Sequence, residues 1–356
     1  MKHGKKSRET IWIISTIALT VVAYGVFASV IVYIDPLFHY HAPLEKYEYP
    51  LNDERYQNDG ITRNFQYDSI ITGTSMMENF KTSEADKIFR GDFIKVPFAG
   101  GTYKEINSNL QRAYDAGKSI KYVIWGLDYS MLINDKNAYR DGDFPTYLYN
   151  DSLCDDLNYV LNKSMLNKAM DVVKYTDAGN ETTSFDKYKN WSAKCTFGAE
   201  AVLDTYTLEE KADKEQELTE DERRMILENI RYNVTDLAYA HPETTFYLFF
   251  PPYSICYWDD RANRGWINRF IDAEEIAIKE LLQCPNVKLY SFFTNFELVC
   301  NLDNYTDQIH YGEWVNSWIL EWMGSDEYLV TMDNYQEHIQ ALREFYGSYD
   351  YSLLHK

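Results

Sequence analysis

The sequence predicts an α/β fold: a five-stranded parallel sheet of the flavodoxin-like kind with helices on both faces, a large insertion, and one amino-terminal transmembrane helix. Three observations predict it. Short apolar runs bounded by polar residues recur five times, as buried strands do. Helical stretches alternate with them, which favours a parallel sheet with right-handed crossovers, and the flavodoxin-like order is a common five-stranded solution. Ile11 to Ile34 carries no charged residue and is long enough to cross a bilayer.

The elements follow in order. Residues 1–10 hold Lys2, Lys5, Lys6 and Arg8 against Glu9, which predicts a cytoplasmic tail, a retained signal-anchor at 11–34 and an exported remainder. Residues 35–67 are polar, aromatic and proline-bearing, and read as a membrane-proximal segment without regular structure. The sheet domain is expected over 68–325. Its first strand, Ser69 to Thr72, runs into Gly73-Thr74-Ser75, and a helix is expected near Ser83–Phe89. Phe93 to Pro97 is the second strand, followed by Ala99-Gly100-Gly101. Thr102 and Glu105 have the spacing of a capping box, opening a helix that Gly117 ends. Lys121 to Trp125 is the third strand and leads to Gly126-Leu127-Asp128.

Residues 133–216, rich in Tyr, Asn, Asp and Lys, read as the insertion. A second capping box, Thr219 to Glu222, starts a long helix through Leu227, Ile230, Val234 and Leu237, closed by Pro242. Thr245 to Phe250 is the fourth strand, Arg264 to Gln283 a helix, and Val287 to Phe292 the fifth strand. A helix bearing Trp314, Trp318 and Trp322 follows. Residues 326–356 form an acidic, aromatic tail with a helix near 336–346.

Composition bounds the partners. The net charge is −20, and the cationic amino terminus makes the exported part more acidic still, which argues against nucleic acid and anionic lipid as ligands. Aromatic residues make up 16% of the chain, including 31 tyrosines, and suit either sugar stacking or a core. The five cysteines show no metal-type spacing, and no bridge is assigned. No metal constellation is evident, and no cofactor is expected. His39 and His41 lie too near the anchor to be favoured for chemistry.

In a sheet of this kind functional residues gather at the carboxyl ends of the strands. Those positions hold Ser75, the Gly100-Gly101 pair, Gly126-x-Asp128 and Asp307-x-x-His310. Taken alone, Ser75 is better read as a loop serine capping a helix, His310 as an ordinary helix-start histidine and Asp307 as a cap. Their order, and a D-x-x-H just before the final helix, resembles the SGNH (GDSL-like) hydrolase superfamily over roughly Asp68 to Met323. The pattern is most similar to membrane-anchored members of cell-envelope acylation systems, such as the DltD-type D-alanylation and alginate-type polysaccharide O-acetylation proteins.

The resemblance implies Ser75 as nucleophile, His310 as its base and Asp307 as the group that orients the ring. It also implies an oxyanion hole from the Ser75 N–H and the N–H of Gly101 or Gly100. The asparagine usual in the third block is missing, since Asp128 stands there. Asn79 is a candidate replacement donor. The expected function is O-acyl transfer, or ester hydrolysis, on a cell-envelope glycopolymer, with a membrane-bound O-acyltransferase as the implied partner. The alternative is a non-catalytic scaffold that binds a glycopolymer or such a partner.

Overall fold

The computed structural model describes residues 2–140, 144–207 and 211–355, with side chains from Arg8 onward. The chain divides into two compact units, one of residues up to Phe65 with Pro145–Thr183, the other of Gln66–Phe144 and Ser184 onward.

In the first unit, helix α1 (Lys2–Ile34) contains the one described helix that is long and apolar enough to span a membrane, Arg8–Ile34. Its apolar side chains are largely exposed, Trp12 and Leu19 at 70% and 71%. The chain turns sharply at Asp35, whose backbone is left-handed with φ +48°. The segment 35–67 is not free of regular structure as the sequence suggested, because Glu54–Asn64 forms helix α2. The buried face of α2 is largely polar (Glu54, Gln57, Asn58, Asp59), so no apolar period announces it. Gly60 is required there: a Cβ would lie 2.1 Å from the Leu37 carbonyl oxygen. The part of the insertion belonging to this unit contains the helix Lys163–Asp177, capped by the Asn162 side chain. Ile31, Leu37, Leu148, Tyr159 and Met165 form a shared core.

The second unit holds one six-stranded sheet. Strands β1 (Ser69–Gly73), β2 (Phe93–Pro97), β3 (Tyr122–Gly126), β4 (Thr245–Phe250) and β5 (Val287–Ser291) are parallel, in the order 2-1-3-4-5. A sixth strand, β6 (Leu329–Val330), pairs antiparallel with β5, a departure from the expected five. Every residue of β1 and β2 is buried, so both faces of the sheet are covered there.

Helix α3 (Thr82–Phe89) lies between β1 and β2, and α4 (Tyr103–Asp115) between β2 and β3. The Thr102 hydroxyl accepts from the Glu105 N–H as a capping box requires, but Glu105 Oε1 accepts from the Arg140 N–H, so the box is half made. The box at Thr219 is complete. The helix it opens, Glu220–Ile230, passes through one π turn at Arg231–Thr235 before Asp236–Ala240. An unforeseen helix, Ile255–Asn263, follows β4 and precedes Ile267–Leu281.

Candidate functional site

The register of the sheet aligns Gly73 of β1 with Pro97 of β2 and Gly126 of β3. Ser75, Gly100 and Asp128 therefore all follow within three residues of a common edge, the carboxyl edge where open α/β sheets place ligands. Gly73 has φ +144°, and a Cβ on it would meet Met77 Cγ at 2.5 Å. A Cβ on Gly126 would meet Met77 Sδ at 2.6 Å. The Met77 side chain thus fills a cradle that only two glycines leave open, which presses the turn Ser75–Met77 onto the strand ends.

Other contacts fix that turn. The Thr74 hydroxyl donates to Asp128 Oδ2 at 2.8 Å, and Asn316 Nδ2 donates to the Met76 carbonyl at 3.1 Å. The fully buried Lys95 donates to the carbonyls of Glu78 and, at 2.8 Å, Phe80. The ammonium thereby satisfies two carbonyls at the exit of the turn.

His310 reaches the turn from a loop pinched by an antiparallel bridge between Tyr305 and Tyr311. The loop is tied to the end of β4: Tyr305 Oη donates to the Pro252 carbonyl, and the Ser254 N–H and hydroxyl both donate to the Gln308 carbonyl. Within it, Asp307 Oδ1 accepts from the backbone N–H groups of Ile309 and His310 at 2.9 and 2.8 Å.

Ser75 Oγ and His310 Nε2 are 2.9 Å apart, and His310 Nδ1 is 2.7 Å from Asp307 Oδ2. An ionised carboxylate only accepts, so Nδ1 carries the proton and Nε2 offers its lone pair to the serine hydroxyl. Burial pushes the Asp307 carboxyl up, but the His310 ring and the two N–H donors outweigh it, and the net shift is downward. The three residues singled out as a triad are thus joined in one chain of hydrogen bonds. Such a chain can draw a proton from the serine and hold the resulting imidazolium.

The N–H groups expected to form an oxyanion hole are arranged differently from expectation. The Gly101 N–H donates to the Phe98 carbonyl at 2.6 Å and is committed to a turn. Among the described residues, the N–H groups of Ser75 and Gly100 have no acceptor, so Gly100 rather than Gly101 holds the free donor. Asp128 is turned to other work. Its side chain accepts from Thr74 Oγ1, the Ser130 N–H and hydroxyl, and Tyr253 Oη at 2.5 Å. Asn79 is buried, and its carboxamide oxygen accepts from the Trp191 N–H at 3.0 Å. The Trp191 ring then meets His310 edge-on, with centroids 5.5 Å apart. Asn79 thus braces a wall of the site through Trp191, a residue that sequence reasoning missed because it lies 112 positions away inside the insertion.

No family model matches this chain, and no curated relative does either. Among solved structures, one from Streptococcus pneumonia, provisionally described as a platelet activating factor, is similar at 10% identity with a TM-score of 0.40. The alignment covers 77% of this chain and 90% of that one.

Proposed function

We propose that this chain is a membrane-anchored serine acyl-transfer enzyme of the SGNH-like kind, with its sheet domain exported. Its reaction is O-acyl transfer or ester hydrolysis on a cell-envelope glycopolymer. The single observation that carries the reading is the chain of hydrogen bonds from Ser75 through His310 to Asp307 at the carboxyl edge of a parallel sheet. The strand order 2-1-3-4-5 supports the flavodoxin-like assignment. The anchor and the glycopolymer rest on the apolar segment, the charge bias around it and the sequence resemblance.

In this reading Ser75 Oγ attacks the acyl carbonyl as His310 Nε2 takes its proton. The carbonyl oxygen becomes negative between the N–H groups of Ser75 and Gly100. Collapse of the tetrahedral species expels the alcohol, which receives the proton from His310, and leaves an acyl-serine. Water or a sugar hydroxyl then repeats the steps in reverse, with His310 again as base. A membrane-bound O-acyltransferase would be the source of acyl groups for transfer.

A fluorophosphonate probe on the purified full chain tests the proposal. Labelling that disappears in Ser75→Ala is expected. A wild-type protein that stays unlabelled would leave the non-catalytic scaffold as the better reading.

A further inference from the structure

Beside His310 and Asp307 opens a cleft of about 400 Å³, whose wall also includes Tyr253, Tyr257, Ile309 and Arg261. We propose that Arg261 is the recognition group of this cleft and binds an oxyanion, carboxylate or phosphate, on a non-reacting part of the substrate. The proposal rests on the acyl-transfer reading above.

Arg261 is the only lysine or arginine among the described residues lining the cleft. Its guanidinium lies over the rings of Tyr257 (4.4 Å), Phe270 (5.0 Å) and Trp266 (5.5 Å), an arrangement that fixes the planar fork in advance. One Nη stands 2.9 Å from Asp260. That carboxylate is shared, because Arg264 Nε also donates to both its oxygens at 3.0 Å. The acid in the cleft wall itself, Asp307, is engaged by His310.

Two polar atoms of the same wall are buried without a hydrogen-bond partner, Arg261 Nε and Tyr257 Oη. Burial holds the Tyr257 hydroxyl protonated, so it can donate. Unpaired buried donors call for an explanation, and a substrate group supplies one. A guanidinium matches the planar or tetrahedral oxygens of a carboxylate or phosphate. The chain carries a net charge of −20, so its long-range field repels anions and recognition must come from this local group.

The test compares wild type, Arg261→Gln and Arg261→Lys as full-length, detergent-solubilised protein. The substrates are a neutral ester (p-nitrophenyl butyrate), a carboxylate-bearing one (mono-p-nitrophenyl glutarate) and a phosphate-bearing one (acetyl-glycerol 3-phosphate). Arg261→Gln is expected to lower kcat/KM for at least one anionic ester by about 10- to 100-fold more than for the neutral ester, with Arg261→Lys between them. Which anionic ester suffers identifies the group. Equal losses on neutral and anionic esters, or no loss on either anion, would overturn the proposal. Calorimetric binding of glutarate and inorganic phosphate keeps the two readings apart. Anion binding that needs Arg261 in a chain whose Ser75 does not label sinks catalysis alone. Binding of neither anion to a labelling-competent wild type sinks the subsite alone.

Discussion

His39 and His310 each meet an aspartate, His39 Nε2 with Asp156 Oδ1 at 3.1 Å and His310 Nδ1 with Asp307 Oδ2 at 2.7 Å. The difference lies at the other nitrogen. His39 Nδ1 faces Arg63 Nη2 at 3.3 Å, a group that can only donate, so both nitrogens of that ring are spent and the ring is buried. His310 Nε2 faces a hydroxyl, and a quarter of its side chain is exposed beside a cleft. A carboxylate partner is therefore no mark of chemistry. What distinguishes a base from a brace is a lone pair left facing something that can give up a proton.

The largest effect should separate the two rings. His310→Ala should slow probe labelling of Ser75 by on the order of 10³- to 10⁴-fold, as loss of a proton acceptor does. His39→Ala should leave the labelling rate of folded protein within about twofold and lower the melting temperature instead, since it removes a buried brace. Comparable labelling defects in both variants would erase the distinction.

Two aspartates sharpen it at the level of stability. Asp35 is fully buried and accepts from the N–H groups of His39, Tyr40 and His41 and from Tyr159 Oη. Asp35→Ala strands four donors and should cost about 3 kcal/mol or more of the unit that contains it. Asp307→Asn keeps its shape and should cost little stability, while labelling slows by about 10³-fold or more because the ring loses its orienting partner. Thermal unfolding followed alongside labelling separates these outcomes.

A smaller effect is expected where the site is braced from a distance. Asn79→Ala removes the acceptor of the Trp191 N–H and frees a ring that packs on His310. About a tenfold slower labelling is expected, with Trp191→Phe milder than Trp191→Ala if the wall acts by shape. An unchanged rate in Asn79→Ala and Trp191→Ala would make the wall irrelevant to the chemistry.

These residues also show what the sequence could carry. β1 to β5 are legible because each is a short apolar run, and the end of β1 points to Ser75. Asp307 and His310 are legible only through the resemblance of the D-x-x-H before the final helix, since they lie in a loop well beyond the end of β5. β6 is two residues long, too short for any period to register. α2 hides behind a polar buried face, and the helix Ile255–Asn263 begins just after two prolines. Gly101 looked as good a donor as Gly100, since the difference is one backbone hydrogen bond to Phe98. Trp191 meets His310 through a contact made across the fold, which no local spacing encodes.

The smallest effect concerns Asp307 as a source of stability. Its carboxyl is held below the usual aspartate range, burial being outweighed by the His310 ring and two backbone N–H groups. A group with a depressed native value binds protons less readily folded than unfolded. Its contribution is therefore complete above the unfolded value, about 4, and is lost as pH falls through the window between that value and the lower native one. A third of the side chain is exposed, and water screens the interaction, so the contribution should be under about 1 kcal/mol. Other carboxylates titrate in the same range, among them Asp186, where burial is outweighed by Ser83 and Thr82. The informative quantity is consequently the difference in melting temperature between wild type and Asp307→Asn, measured from pH 6 down to pH 3. That difference should shrink on acidification, because protonation does to the wild type what the amide has done to the variant. A difference that grows toward low pH would mean that the folded carboxyl is raised, and the pair with His310 would then be a weaker link than its 2.7 Å separation implies.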